Sequence, residues 1–388
     1  MVKDGNTTMQ HASITLFRDF AEDQRLSMEI YADRLSQAMQ TYFSERYQVH
    51  EYQPSLLPWL GQRFSNSLLR MRVSRFLAYP WQARRHQRQI NHIVDHGYGH
   101  LLYMINPGRT VVTVHDLIPW VHWRGEIPVA SIRSRPWLNL LSFNALRRAG
   151  HLIAISENTR RDLVRLCRCN PEKITVVYYG IASTFRPYTQ DEKMAVRQKW
   201  GVAGNRTKRV LVSGSQFYKN QSVALKAFAR LRELFLEPLE IVKTGMPNPE
   251  WTRAVKEHRL EKEAKCLGVV EHERMAEVYN SVNCLLFPSL YEGFGRPPLE
   301  AMACGTPVVA SNAASLPEVI GEAGLMVNPE DEEGLAQAMH AVLTNDELRQ
   351  SLIKRGLSWA QKFTWQKAAH ETLKVYEKIA HKNLSLTT

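Results

Sequence analysis

Two carboxylates and two glycines lie close together between an apolar run and a short helical pattern. Glu292 stands directly before Gly293, Gly295 follows, and Glu300 lies within the first turns of the predicted helix. The apolar run Cys284–Phe287 ends at a proline, and a short run of this kind predicts a buried strand. The sequence therefore predicts a strand, a glycine-containing loop and a helix in direct succession.

This succession is a candidate site for an anion. Glycines let the backbone come close to a ligand, and the unpaired amides and dipole of a helix start favour phosphate. Glu292 and Glu300 would repel phosphate, but they can accept hydrogen bonds from the hydroxyl groups of a sugar or a ribose. The combination suggests a nucleotide sugar. An ordinary strand–loop–helix unit with surface glutamates is the alternative on these residues alone.

A histidine and an aspartate directly follow a predicted strand in the N-terminal half. Thr110–Val114 is apolar and β-branched, and His115 and Asp116 come next. Ligand-binding residues of open α/β sheets lie beyond the carboxyl ends of the strands, so these two side chains are candidates. A core histidine beside a capping aspartate is the alternative interpretation.

A lysine precedes a predicted helix in the C-terminal half. The strand pattern that starts at Arg209 ends at Gly214, and the loop from Ser215 to Asn220 carries Lys219. A lysine ammonium is a compact charge, and beside a helix start it is a natural contact for phosphate. An exposed lysine without a ligand is the alternative.

Strands and helices alternate in two successive sets, at residues 11–187 and 207–364, and domain closure is expected around residues 187–207. The first set includes an expected strand at Leu101–Ile105. Two such sets predict an α/β protein with two Rossmann-like, doubly wound domains that face a central cleft. A chain of 388 residues also exceeds the usual size of a single core.

The composition is that of a soluble globular protein, with 44% hydrophobic and 23% charged residues. No segment approaches the roughly 20 apolar residues that span a bilayer, and the polar start lacks the apolar centre of a signal peptide. The five cysteines form no metal-binding pattern, so reduced thiols are expected. These features favour a cytoplasmic protein without a bound metal ion.

The net charge of +12 belongs mainly to the N-terminal half, where residues 1–190 hold 24 Lys and Arg against 14 Asp and Glu. Residues 62–89 contain no acid, and aromatic and aliphatic side chains interleave with their arginines. One interpretation is a surface that lies on an anionic bilayer, and the other is a solvated face over a core. Nucleic acid is not expected as a partner, because no known binding module surrounds the stretch. The arginines are Arg63, Arg70, Arg72, Arg75, Arg84, Arg85 and Arg88.

The chain resembles the GT-B glycosyltransferases of family four from about residue 11 to Tyr376. The resemblance rests first on Glu292 to Pro298 with Leu-Glu300-Ala-Met, and on Cys304-Gly-Thr-Pro-Val308. Further matching motifs are Leu316-Pro-Glu-Val, His115-Asp-Leu-Ile-Pro119, Ile155-Ser-Glu-Asn-Thr159, Val176-Val-Tyr-Tyr-Gly180, Tyr218-Lys-Asn220 and Phe363-Thr-Trp365.

The resemblance implies a retaining transfer of a sugar from a nucleotide sugar, with no metal ion and no cofactor other than this donor substrate. It also implies that the last helix, at residues 365–381, crosses back onto the N-terminal domain. In the C-terminal half, the resemblance implies that Lys219 binds the diphosphate and that the amides of Gly293 and Phe294 contact the distal phosphate. It implies that Glu292 binds the sugar and that Glu300 binds the ribose. In the N-terminal half, it implies that His115 approaches the donor sugar and that Asp116 supports the loop that carries His115. Gly214, Ser215 and Gly295 complete the expected donor-binding set.

Two departures from the family pattern bear on the diphosphate. Many relatives carry a glycine-rich first loop and an arginine after the glycine of the lysine loop. This chain has Asp23-Gln-Arg-Leu-Ser-Met28 at the first place and Ser215 at the second. One cation for the diphosphate is therefore missing or supplied elsewhere, and Arg25 is the candidate.

The sequence thus predicts a cytoplasmic glycosyltransferase at the inner face of the membrane that builds a surface polysaccharide on a lipid-linked or other glycan acceptor. GDP-mannose is the expected donor, from a general likeness to mannosyl-transferring relatives. Two alternatives are a catalytically idle GT-B subunit that serves as a scaffold and a nucleotide-sugar epimerase that needs no acceptor.

Overall fold

The computed structural model describes residues 12–56, 67–127, 137–202 and 206–384. The start of the expected first strand at residue 11, and residues 62–66 of the arginine-rich stretch with Arg63, lie outside this part of the chain. The chain divides into two compact units. Unit 1 takes residues 1–117, 135–180 and 365–388, and unit 2 takes residues 118–134 and 181–364.

Twelve strands are present in the described residues, six in each unit. Those of unit 1 are β1 (Ala12–Phe17), β2 (Tyr47–Tyr52), β3 (Ile90–Ile93), β4 (Thr110–Val114), β5 (His151–Ala154) and β6 (Ile174–Val176). Those of unit 2 are β7 (Lys208–Val212), β8 (Leu239–Lys243), β9 (Ala264–Cys266), β10 (Cys284–Phe287), β11 (Val308–Ser311) and β12 (Leu325–Val327).

Fifteen α-helices are present in the same residues. They are α1 (Leu26–Phe43), α2 (Ser67–Val73), α3 (Tyr79–Arg85), α4 (Ile118–Trp123), α5 (Trp137–Ala145), α6 (Glu157–Cys167), α7 (Gln190–Lys199), α8 (Gln221–Leu234), α9 (Pro249–Glu257), α10 (Met275–Ser281), α11 (Arg296–Ala303), α12 (Leu316–Ile320), α13 (Glu332–Thr344), α14 (Asp346–Ala360) and α15 (Trp365–Leu384). A π-helical turn, Ser74–Ala78, joins α2 to α3.

Both sheets are parallel throughout. Unit 1 has the strand order β2-β1-β3-β4-β5-β6, and unit 2 has the order β12-β11-β10-β7-β8-β9. The direction of winding therefore reverses between β1 and β3 in unit 1 and between β7 and β10 in unit 2. Such reversals are where open α/β sheets bind ligands. The expected α/β class with two Rossmann-like sheets is confirmed.

The strand expected at Leu101–Ile105 is wrong. Residues His96–Tyr103 instead form a 3₁₀ helix, whose first turn is capped by the Asp95 side chain accepting a hydrogen bond from the amide of Gly97. Leu101 and Leu102 are fully buried, as they would be in a strand. A short apolar run has the same burial in either conformation, so its periodicity cannot separate the two.

The last helix, α15, packs in unit 1 beside α1 and is tied to the sheet by a buried chain of hydrogen bonds. The hydroxyl of Tyr376 lies 2.6 Å from Nδ1 of His92, and Nε2 of His92 lies 2.7 Å from Oγ1 of Thr113. Burial lowers the pKa of His92 to about 3, so its ring is neutral. The bonds satisfy polar groups that burial would otherwise penalise.

Candidate functional site

The candidate site of unit 2 lies at the reversal between β7 and β10. The loop after β7, residues 213–220, and the loop after β10, residues 288–295, both leave the carboxyl edge of the sheet. Neighbouring parallel strands end at the same edge, so these loops are brought together although 68 residues separate Asn220 from Pro288. The side-chain Nδ2 of Asn220 donates to the Pro288 carbonyl at 3.2 Å and joins the loops directly.

Lys219 and Glu292 meet at this junction. The Lys219 ammonium lies 2.7 Å from Oε1 of Glu292, and both side chains are buried. A 3₁₀ turn, Phe217–Lys219, and the left-handed backbone of Asn220 (φ 54°) aim the lysine before α8 begins. The Phe287 ring lies 4.6 Å from the ammonium. Two residues expected at a donor site, one on each loop, are therefore in contact.

The loop that carries Glu292 is held in shape by α12 and by a glycine. Ser315 Oγ lies 3.0 Å from the carbonyl oxygen of Glu292 and 2.8 Å from that of Phe294. Gly295 has φ +107°, and a Cβ there would lie 2.7 Å from the side chain of Leu316. Only glycine suits this position, because both its backbone angle and its neighbour exclude a side chain.

Glu300 is a buried carboxylate on α11 with two protein partners. The Tyr279 hydroxyl donates to its Oε2 at 3.0 Å, and Nε2 of His272 lies 3.0 Å from its Oε1. Burial alone would favour the neutral acid, but these hydrogen bonds and the nearby charge of Arg296 hold the pKa of Glu300 below its usual value. Glu300 is therefore ionised, with lone pairs left for hydroxyl groups.

Gly214 and Ser215 lie near the start of the loop that carries Lys219, and both are hydrogen-bonded to a second lysine. The ammonium of Lys243, at the end of β8, donates to the Gly214 carbonyl at 2.7 Å and to Ser215 Oγ at 2.9 Å. Asn248 Nδ2 donates to the Ser215 carbonyl at 2.9 Å. Gly214 has φ +89°, and a Cβ on it would lie 2.9 Å from Cε of Lys219.

Sequence reasoning missed four side chains that complete this arrangement: Lys243, His272, Tyr279 and Ser315. Each reaches the site through a hydrogen bond across 20 or more residues. The clearest available signal was Lys243, a charged residue at the end of the apolar strand pattern 239–242. Nothing local marked the other three.

Unit 1 has a partly buried charged cluster at its own reversal, after β1 and β3, in which Asp19 and Asp95 are the buried members. Arg25 Nη1 lies 2.5 Å from Oδ2 of Asp95, and Arg75 Nη1 lies 3.0 Å from Oδ2 of Asp23. Burial, with the neighbouring Asp95 carboxylate, raises the pKa of Asp19 to about 9. Arg25, the expected extra cation for the diphosphate, is thus ion-paired within unit 1, and its role toward a donor stays a prediction.

His115 is likewise fully engaged within unit 1. Its Nε2 donates to the Val94 carbonyl at 2.7 Å, and the Tyr179 hydroxyl bonds its Nδ1. The carbonyl can only accept, so the proton resides on Nε2 and Nδ1 accepts from the tyrosine. Asp116 follows at the carboxyl end of β4 and is partly buried. The expected approach of His115 to a donor sugar stays a prediction.

Metal binding and membrane crossing can both be considered for the described residues. No group of three or more His, Cys, Asp or Glu side chains in this part of the chain is arranged to hold a metal ion. Among the helices described above, none has both the length and the apolar character needed to cross a bilayer.

The chain matches two protein families along most of its length. Residues 192–359 match the family described as Glycosyl transferases group 1, and residues 35–185 match Glycosyltransferase Family 4. The O-antigen chain mannosyltransferase B of Escherichia coli is 28% identical over 277 residues, which cover 69% of this chain and 70% of that protein.

Two further similarities concern a longer relative and a solved structure. The E. coli serotype-specific mannosyltransferase WbdA is 25% identical over 280 residues, which are 70% of this chain but only 34% of WbdA. The Anabaena protein HepE, solved with UDP and glucose, aligns with a TM-score of 0.70 at 17% identity, over 94% of this chain and 100% of HepE. Two parallel Rossmann-like sheets and two adjoining family matches lead to one conclusion: the chain belongs to the GT-B glycosyltransferases of family four.

Proposed function

We propose that the protein transfers mannose from GDP-mannose to a glycan acceptor, with retention of configuration, during the synthesis of a surface polysaccharide. The observation that carries the donor part is the contact between Lys219 and Glu292 at the sheet reversal of unit 2. Mannose is supported by the names of the E. coli relatives, and a nucleotide sugar is supported by the UDP bound to HepE.

Lys219 is proposed to bind the diphosphate and to stabilise it as it departs. One of its three N–H groups is bonded to Glu292, and the others can reach phosphate oxygens. Negative charge grows on the diphosphate as the bond to the sugar breaks, so a fixed ammonium binds the transition state more tightly than the ground state. Because this charge comes from a side chain, the proposed transfer uses no metal ion.

Glu292 and Glu300 are proposed to bind hydroxyl groups, of the sugar and the ribose respectively. They are not proposed as the acid and nucleophile of a retaining glycosidase, because Glu292 is held by Lys219 and Glu300 by Tyr279 and His272. In the proposed step the bond from the sugar carbon to phosphate breaks and a bond to the acceptor oxygen forms on the same face. The acceptor proton passes to a phosphate oxygen.

An anionic membrane surface is proposed to hold the protein near a lipid-linked acceptor. Leu77 and Trp81 are 69% and 51% exposed on the π turn and α3, and the guanidinium of Arg85 stacks 3.7 Å from the Trp81 ring centroid. Exposed apolar and aromatic side chains beside arginines are typical of surfaces that bind lipid headgroups.

The proposed function is tested by incubating the purified protein with GDP-mannose, UDP-glucose and ADP-glucose, each with and without lipid-linked glycan. Mannose transfer only when both GDP-mannose and acceptor are present is the expected result. Lys219→Met is the inactive control. A changed sugar without acceptor would indicate an epimerase, and the absence of nucleotide binding in thermal-shift assays with all three donors would overturn the enzyme proposal in favour of a scaffold.

A further inference from the structure

Lys243 is a buried lysine without a carboxylate partner. Its side chain is 0% exposed at the carboxyl end of β8. Buried lysines are normally paired, because an isolated ammonium loses its hydration on burial. No carboxylate oxygen in the described part of the chain forms an ion pair with its nitrogen, whereas the buried Arg209 and Lys219 lie 2.6 Å and 2.7 Å from the carboxylates of Glu240 and Glu292.

The known partners of this ammonium are neutral. It donates to the Gly214 carbonyl at 2.7 Å and to Ser215 Oγ at 2.9 Å, and the Trp251 ring centroid lies 5.7 Å away. Ser215 Oγ in turn lies 2.8 Å from the Met246 carbonyl, to which it donates. The hydrogen bonds hold the loop in place, but they leave the positive charge uncompensated.

The two lysines of the site approach the same glycine. Lys243 bonds the Gly214 carbonyl, and Lys219 passes so close that a Cβ on Gly214 would lie 2.9 Å from its Cε. The charge of Lys219 is balanced by Glu292, whereas that of Lys243 is not. Of these two lysines, only Lys243, at the end of β8 beside the loop after β7, carries a positive charge without a carboxylate partner among the described residues.

We propose that Lys243 is a phosphate-binding residue, and that the diphosphate of the nucleotide donor is the counter-ion that the protein itself does not provide. The inference rests on the proposed function, since it requires a nucleotide at this loop. In this proposal, Lys243 on β8 of unit 2 supplies the diphosphate cation that the family pattern leads one to expect at Ser215. Arg25 is then not needed for the diphosphate.

The pKa of Lys243 offers a readout that a purely structural role would lack. Burial lowers this pKa to about 8, against the opposing influence of Cys266 on β9 and Glu250 on α9, and Lys219 faces the same glycine. An anion binds the charged form, so the affinity for a nucleoside diphosphate should fall as pH rises from 7 to 9. A variant without the ammonium should lose this part of the pH dependence.

The test is isothermal titration of the full chain with GDP, UDP and ADP at pH 7 and pH 9. Lys243→Met is compared with wild type and with Lys226→Met, a matched control whose lysine pairs with Glu332 on the surface of unit 2. We expect Lys243→Met to weaken nucleoside diphosphate binding about 10- to 100-fold at pH 7 and to flatten the change between pH 7 and pH 9. Lys226→Met should behave as wild type.

Three results would overturn the inference. Unchanged affinity in Lys243→Met would refute it while leaving the proposed function intact. A loss of affinity that keeps the wild-type pH dependence would indicate only a role in loop structure. If Arg25→Ala weakens nucleoside diphosphate binding and Lys243→Met does not, Arg25 and not Lys243 is the additional cation that binds the diphosphate. If wild type binds none of the three nucleotides, the proposed function itself is refuted.

Discussion

Nζ of Lys219 lies 2.7 Å from Oε1 of Glu292, and each side chain is only 10% exposed. The two charges stabilise each other at a place where water is largely excluded. Loss of either partner would leave the other charge buried and unpaired, which costs more than losing both. The pair is therefore a structural unit as well as the proposed meeting point of phosphate and sugar.

The first prediction follows from this coupling. Lys219→Met should destabilise the protein by about 2–4 kcal/mol, because it leaves the Glu292 carboxylate unpaired. The double variant Lys219→Met/Glu292→Gln should recover at least half of that loss, although it should transfer no sugar. Urea denaturation of the wild type, both single variants and the double variant measures the coupling. Strictly additive effects would show that the two side chains act independently.

The second prediction concerns recognition of the ribose by Glu300. Glu300→Gln should weaken GDP binding about tenfold, since an amide is a poorer acceptor for hydroxyl groups than a carboxylate. Wild type should prefer GDP over 2′,3′-dideoxy-GDP, and the variant should lose most of this preference. Titration calorimetry with both nucleotides measures it. If the variant and the wild type prefer GDP over 2′,3′-dideoxy-GDP to the same degree, residues other than Glu300 bind the ribose hydroxyl groups.

The third prediction concerns the glycine that shapes the Glu292 loop. Gly295→Ala should cost more than 2 kcal/mol of stability and abolish nucleotide binding, because the methyl group meets Leu316 and φ is +107°. Gly201→Ala is the matched control, since Gly201 also has positive φ (+65°) but no atom within 4 Å of an added Cβ. It should cost about 1–2 kcal/mol, the strain of the backbone alone. If both variants lose the same free energy of unfolding, the Leu316 side chain moves away from the added methyl group at no energetic cost.

The fourth prediction concerns Asp19, whose pKa is raised to about 9 in the folded protein. Between pH 4 and pH 9 the folded state then holds a proton that the unfolded state has lost, so this group destabilises the fold as pH rises. Asp19→Asn removes the penalty and should raise the melting temperature at pH 8, with no difference from wild type near pH 4. A lower melting temperature of the variant at pH 8 would show that the carboxylate is needed.

The fifth prediction concerns the proposed membrane surface. Neutralising Arg72, Arg84 and Arg85 to Gln should reduce binding to phosphatidylglycerol-containing vesicles at least tenfold, because each exposed cation near such a surface contributes about 1 kcal/mol. Arg75 is left unchanged, since it holds Asp23 and the Gly97 carbonyl inside unit 1. Co-sedimentation with vesicles measures the binding.

The control for this experiment removes the same charge elsewhere. Arg206, Arg253 and Arg355 are exposed in unit 2 and are neutralised together. This variant should sediment with vesicles nearly as well as wild type. If both triple variants lose the same amount of binding, net charge rather than the α2–α3 surface is responsible.

Local patterns in the sequence were sufficient for most of the elements. The strands expected at Cys284–Phe287 and at Thr110–Val114 have these bounds in the structure. Within the motif Ile155-Ser-Glu-Asn-Thr159, the Ser156 side chain caps α6 by accepting a hydrogen bond from the Thr159 amide. Periodicity and capping depend on neighbours within a few residues, and the sequence displays those neighbours directly.

The tertiary structure alone decided which of these elements meet. The order β12-β11-β10-β7-β8-β9 places the loop of Lys219 beside that of Glu292, and it also brings Lys243 under Gly214. A lysine at the end of a strand is ordinary in a sequence. It becomes significant only when burial has removed its water and no carboxylate has replaced it. The sequence by itself thus determined most of the local elements and which charged residues lie on their loops. Strand order decided which of those charges stand together, because contacts across many residues follow from topology and not from local pattern.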